Sequence, residues 1–134
     1  MENIPNCFYR ISLKALILND TRDKFLIVEE NNGMWDFPGG GLDFGESPTV
    51  GIKRELKEEM GLETTSISDQ PSYFVTDKHT KGHWIANIFY EVTVKDLNFT
   101  PSDECVSCKF VSKDEAKDMN TYSTVKLFAD MFKV

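Results

Sequence analysis

The stretch WDFPGGGLDFGESPTVGIKRELKEEMGL, Trp35 to Leu62, restricts the fold more than any other part of the chain. Gly39 to Gly45 is too rich in glycine to continue as regular structure. Ser47-Pro48 then offers an N-cap followed by proline at the first helical position, a strong helix start. Gly61 is placed to stop that helix. Between these signals Thr49, Ile52, Leu56 and Met60 share one stripe, which requires a sheet to pack against. A bent loop feeding a helix of set length is one unit, and the other elements must be arranged around it.

The remaining elements read mostly as strands. In Tyr9 to Leu18, residues Tyr9, Ile11, Leu13, Ala15 and Ile17 face one way, while Arg10, Ser12 and Lys14 face the other. The turn cluster Asn19 to Asp23 and the apolar run Phe25 to Glu29 suggest that these two strands form a hairpin. Thr64 to Thr76 reads as extended and Asp77 to His83 as a polar loop. Trp84 to Val94 is the clearest strand, with Trp84, Ala86, Ile88, Tyr90, Val92 and Val94 on one face. Cys105 to Val111 is a weaker strand, Ser112 to Glu115 opens a helix, and Thr124 to Phe132 forms the last one. Hairpins outnumber βαβ units, so an α/β fold with a mixed sheet covered by helices is expected. The 134 residues suffice for one domain, residues 1–134, with a real core.

Charge narrows the function. Fifteen basic against 22 acidic side chains give a net charge of −7, which argues against general nucleic-acid or membrane-surface binding. The start of the chain has no basic targeting region and no apolar run able to span a bilayer. Three cysteines without a regular framework fit a reducing cytoplasm. The expectation is a cytoplasmic protein acting on a small molecule, with a homodimer left open.

The helix between Ser47 and Gly61 carries its carboxylates unusually close together. At about 100° per residue, Glu55, Glu58 and Glu59 share a sector beside the apolar stripe and apart from Lys53 and Lys57. Like charges at these spacings cost roughly 0.2–0.5 kcal/mol per pair. Gly51, one turn earlier, leaves that sector uncrowded. A divalent cation would turn the cluster into a site, and hard oxygen ligands suit Mg²⁺ or Mn²⁺. The plain alternative is a solvated helix face with Arg54 paired to Glu58. The glycines fit neither familiar phosphate loop. A nucleotide P-loop needs lysine where Glu46 stands, and a dinucleotide fingerprint needs glycine where Phe44 stands.

Gly40, Glu46 and Arg54-Glu55-Leu56-Lys57-Glu58-Glu59-Met60-Gly61-Leu62 instead match G-x5-E-x7-R-E-U-x-E-E-x-G-U, with U bulky and aliphatic, at every specified position. A random register would do so with probability on the order of 10⁻⁹. The chain thus resembles the Nudix hydrolases, and Trp35, Phe37-Pro38-Gly39 and Gly45-Glu46-Ser47 are similar to the flanking pattern. The resemblance implies an α/β/α sandwich around a mixed sheet. It also implies Mg²⁺- or Mn²⁺-dependent hydrolysis of the pyrophosphate linkage in a nucleoside diphosphate derivative. By the same resemblance Glu58 and Glu59 would be the principal metal ligands, and Glu55 a ligand or the general base. Arg54 would orient a glutamate, Gly40 would offer a main-chain carbonyl or allow close approach, and Glu46 would be a supporting carboxylate. Family members often add an acid before a late strand, for which Glu104 is the candidate and Asp103 the second. A non-catalytic, nucleotide-sensing module and a prenyl diphosphate isomerase are the rival readings.

Substrate choice lies outside the matched segment. Past Leu62 there is neither the proline of ADP-ribose hydrolases nor the tyrosine of dinucleoside polyphosphate hydrolases at its usual distance. Arg10, Tyr73 and Asn87 are candidate contacts to a base or sugar, though aromatics on strands are as readily core. Lys78 and His79 are candidates to meet phosphate from a loop that reads equally as a solvated hairpin tip. His79 and His83 lack a third ligand for zinc. Cys105 and Cys108, placed on one strand, would point to opposite faces as idle thiols.

Overall fold

A computed structural model describes residues 5–134. Eight strands and three helices follow in the order β1 (Arg10–Leu16), β2 (Phe25–Glu29), β3 (Trp35–Asp36), β4 (Gly39–Gly41), α1 (Pro48–Met60), β5 (Thr64–Ile67), β6 (Tyr73–Lys78), β7 (Trp84–Val94), β8 (Ser107–Val111), α2 (Lys113–Lys117) and α3 (Ser123–Met131). The larger sheet runs β4-β1-β7-β5, with β6 also paired to β7; the smaller runs β3-β2-β8. β1 and β7 are parallel, from Arg10 opposite Ile85 to Leu16 opposite Glu91. Every other pairing is antiparallel, so the sheet is mixed, as expected. Among the described residues no helix is long and apolar enough to cross a membrane.

The expected β1–β2 hairpin does not form. β1 is already bonded along both edges, to β4 on one side and β7 on the other. β2 therefore meets the first strand only beyond its end, through the Leu18–Phe25 bridge and the Leu26 amide on the Ile17 carbonyl at 2.9 Å. It then joins β3 and β8 in the second sheet. Gly39 to Gly41, expected to be irregular, pairs with Ser12 to Lys14 as a short edge strand.

Two packed layers cover the sheets. On one side Ile52, Leu56 and Met60 of α1 are fully buried against Leu13 and Ala15 of β1, Leu26 and Val28 of β2, and Tyr90 and Val92 of β7. Each such side chain contributes roughly 1.5–3 kcal/mol on leaving water. Thr49, in the first turn of α1, stays exposed. On the other side α2 and α3 close over an aromatic cluster in which Phe128 lies 4.8 Å from Phe37, Tyr73 and Phe89. β7 is consequently buried on both faces: Asn87 and Phe89 point toward α3, not only the expected apolar face toward α1. Cys105 precedes β8 instead of lying on it, so both Cys105 and Cys108 pack on the α1 layer rather than on opposite faces.

Candidate active site

Local signals position α1 as the sequence requires. Ser47 is extended, with ψ 154°, and its side chain accepts from the Val50 amide at 3.4 Å. Gly61 closes the helix at φ +65°, a left-handed conformation that side chains disfavour. Within this helix Arg54 is a hub. Its Nε and Nη2 donate to the two oxygens of Glu46 at 2.7 and 2.8 Å, a bidentate pair. Nη1 donates to Glu55 at 2.9 Å and Glu58 at 3.3 Å, and Nη2 also reaches the Gly41 carbonyl at 3.3 Å. One guanidinium thereby straps the glycine loop to the helix. The Arg54 hydrogen bonds, with help from the Asp43 amide, hold the Glu46 carboxyl down at about 2.

The carboxylates converge in the lining of a cleft of about 280 Å³ whose wall includes Gly39 to Gly41. Glu55, Glu59 and Glu104 each bring an oxygen within 4.8 Å of the others. Glu59 is only 5% exposed, and burial first, then Glu104 and Glu55, raise its carboxyl well above the usual range. Gly40 makes room for this: a Cβ there would lie 2.6 Å from the Glu55 carboxylate. Glu104 arrives on a turn closed by the reciprocal backbone bonds of Ser102 and Cys105. That turn is fastened to the helix by Ser102 Oγ donating to the Glu59 carbonyl at 2.7 Å, and to the loop after β2 by the Asn31 amide on the Asp103 carbonyl at 2.9 Å. A buried glutamate crowded by two others, at a spot cleared of side chain, fits a hard divalent cation. Glu58 lies outside this cluster. It is largely exposed and turned to Arg54. Gly51, whose missing side chain was expected to open the glutamate sector, admits a close helix–sheet contact instead. A Cβ there would come 3.0 Å from Glu46 and 3.1 Å from Leu13.

Lys14, which alternation in β1 assigned only to the polar face, is 6% exposed and pairs with Asp36 at 3.1 Å. Burial works against its charge, but Asp36, and then Glu59 and Asp77, outweigh it, so its pKa is raised. Lys14, Glu30 and Asp36 line both the carboxylate cleft and an adjoining one of about 460 Å³. Asn87, Lys78 and His79 line the second cleft, on the α3 side of the sheet. There Asn87 Nδ2 donates to Asp77 Oδ1 at 2.7 Å and to the Val75 carbonyl at 3.0 Å, while Ser123 Oγ donates to Asp77 Oδ2 at 2.8 Å. Asp77 and Lys78, read from sequence as loop, are thus the end of β6, and Asp77 is buried. Arg10 and Tyr73 stand apart from both clefts. Arg10 donates to the Leu42 carbonyl at 2.6 Å beside Gly41, and the Tyr73 ring packs on Phe128. The polar side of β1 was the available sequence signal for Lys14, but alternation shows which residues share a face and not what covers it.

The model of the NUDIX domain family matches residues 9–131. Two RNA pyrophosphohydrolases are similar over part of the chain. The one from Ruthia magnifica is 40% identical over 60 residues, 45% of this chain and 34% of that protein. The one from Campylobacter jejuni strain RM1221 is 36% identical over 87 residues, 60% of this chain and 54% of that protein. The chain thus spans between a third and about half of these relatives. The crystal structure of a MutT protein from Methanosarcina mazei superposes with a TM-score of 0.77 at 25% identity, covering 92% of this chain and 91% of that one.

Proposed function

Because this chain belongs to the NUDIX domain family, we propose that it is a divalent-metal-dependent hydrolase cleaving the pyrophosphate linkage of a nucleoside diphosphate derivative. The observation that carries this reading is the convergence of Glu55, Glu59 and Glu104 in a glycine-walled cleft. Those three would hold Mg²⁺ or Mn²⁺, with Glu58 adjacent on the same helix. Such an ion, when bound, neutralises phosphate oxygens and lowers the pKa of water.

The chain's own groups supply the rest. The bare backbone of Gly40 and Gly41 admits a diphosphate close to the carboxylates. Lys14, kept charged by its acidic neighbours, offsets phosphate charge where the two clefts meet. Arg54 fixes the rotamer of Glu55 while its bond to Glu46 fixes Arg54 in turn. Glu58, which uses only one carboxylate oxygen on Arg54, is the acceptor for the proton of the attacking water.

The test is a product and phosphate-release screen with Mg²⁺ and Mn²⁺. Its substrates are nucleoside triphosphates, oxidised dNTPs, ADP-ribose, NADH, dinucleoside polyphosphates, nucleotide sugars and 5′-triphosphorylated RNA. Metal-dependent cleavage of at least one class is expected, falling by about 100-fold or more in Glu58→Gln and Glu59→Gln. Full metal-dependent turnover in both variants overturns the assignment, and tight nucleotide binding without cleavage favours a sensing module.

A further inference from the structure

Helix α1 covers only part of the sheet face on which it packs. Alternation puts Tyr9, Ile11 and Leu13 on that face, with Trp84, Ala86, Ile88 and Tyr90 of β7 beside them. The helix buries Leu13 and Tyr90. Its first turn stops over Leu13, at the close approach of Gly51. Beyond that point the face is bare. Tyr9, Ile11 and Trp84 are exposed, and the Tyr9 and Trp84 rings lie 6.4 Å apart.

Both flanks extend the bare face. In β6, Tyr73 and Asp77 turn to Phe128 and Ser123 of α3. Phe74, Thr76 and Lys78 therefore turn the other way, opposite Ile88, Ala86 and Trp84, and all three are exposed. On the opposite flank the Leu42 amide donates to the Ile11 carbonyl at 3.1 Å, and the loop that follows holds Phe44 wholly in solvent. Phe8, Tyr9, Ile11 and Phe44 border one cavity of about 320 Å³. An aromatic side chain carries about 150–250 Å², so five of them, largely bare, approach the about 800 Å² that each partner of a stable interface buries. Charge divides by edge. Lys78 and Lys81 lie exposed at the β6 edge and Asp43 at the β4 edge, three strand spacings of about 4.8 Å apart.

We propose that a second copy of this chain covers the face, about a two-fold axis that lies between the two faces and runs parallel to β1. Such an axis exchanges the edges, so Lys78 of each copy meets the partner's Asp43 while the Tyr9 and Trp84 rings fill the centre. An axis across the strands would instead set lysine on lysine and aspartate on aspartate, which costs affinity. The net charge of −7 and the Asp43 edge turn away a nucleic acid or an anionic membrane. Pairing also clamps the loop of Asp43 and Phe44, which leads into Glu46 and the Arg54 strap. Neither metal nor substrate enters this contact, so it stands apart from the hydrolase reading.

The experiment is sedimentation equilibrium of the full chain, without metal or nucleotide, from about 1 to 200 μM, a span that covers dissociation constants typical of interfaces this size. A species of twice 15.3 kDa is expected. Trp84→Glu, which puts a charge at the centre of the contact, should weaken it by about 100-fold or more. Lys78→Glu and Asp43→Lys should each weaken it by about tenfold, since symmetry makes each reversal act twice. The double variant should return to within a few-fold of the parent, a recovery that damage to one subunit would not give. Monomeric mass throughout the range overturns the inference, as does a dimer that Trp84→Glu leaves unchanged. A double variant no tighter than its weaker parent overturns the axis. A monomer that takes up single-stranded RNA, and loses it in Trp84→Glu, overturns the second copy as occupant and gives the face to nucleic acid.

Discussion

Gly40 shows how one missing side chain organises chemistry. Its backbone does not need the left-handed region, so alanine would fit the chain itself, and the obstacle is the Glu55 carboxylate at 2.6 Å. That carboxylate is the end of a flexible side chain and can move aside. Gly40→Ala should therefore fold with a melting temperature within a few degrees of the parent, yet lose about 100-fold in turnover because a carboxylate that would hold the ion is displaced by about an ångström. Parallel thermal melts and steady-state kinetics check both halves. Glu46 makes a different prediction. Its carboxyl titrates at about 2 in the folded chain against 4.5 ordinarily. A depressed folded pKa means stability that is present above pH 4.5 and lost as pH falls toward about 2. Acid-unfolding curves of Glu46→Gln should lack that loss; curves that superpose on the parent throughout this range would contradict the strap through Arg54.

At the scale of elements, α1 was legible because every signal for it is local. Ser47, Pro48 and Gly61 mark its ends within the segment, and Ile52, Leu56 and Met60 mark its buried face. Gly61→Ala should cost about 1–2 kcal/mol in urea unfolding, since alanine must hold a positive φ and also meet Thr100 Oγ1 at 3.1 Å. The strands were less legible for a matching reason. β1 takes its neighbours from Gly39–Gly41 and from β7, and nothing near Asn19 to Asp23 announces that both its edges are filled. The carboxylates on α1 could be read from their spacing on a helical wheel. Lys14 and Asp77 could not, because periodicity on a strand is silent about which face becomes a cleft floor. Glu104 was visible only as an acid ahead of a late strand; the Ser102 and Asn31 bonds that deliver it are made across the fold.

At the scale of the molecule, two layers of different character stabilise the sheets. The aromatic layer converges on Phe128, which is fully buried and contacts the rings of Phe25, Phe37, Tyr73, Phe89 and Phe132. Phe128→Ala should cost about 3–5 kcal/mol, a large part of the roughly 5–15 kcal/mol that keeps a domain folded, as denaturant titration would show. The other layer carries the carboxylates, so a bound ion should stabilise the whole molecule by about 2.7 kcal/mol at 100 times its dissociation constant and raise its melting temperature accordingly. Glu59→Gln should abolish that gain, and EDTA should return the parent to the metal-free value. The turn bearing Glu104 adds a temporal consequence. Glu55 and Glu59 leave the ribosome early, but Glu104 follows β7 in the chain, and its turn is fastened to α1 by Ser102 on the Glu59 carbonyl. A nascent or clipped chain that lacks this turn therefore lacks the third carboxylate. On the proposed reading, a copy that stops short of Glu104 should bind Mg²⁺ more weakly than the whole chain.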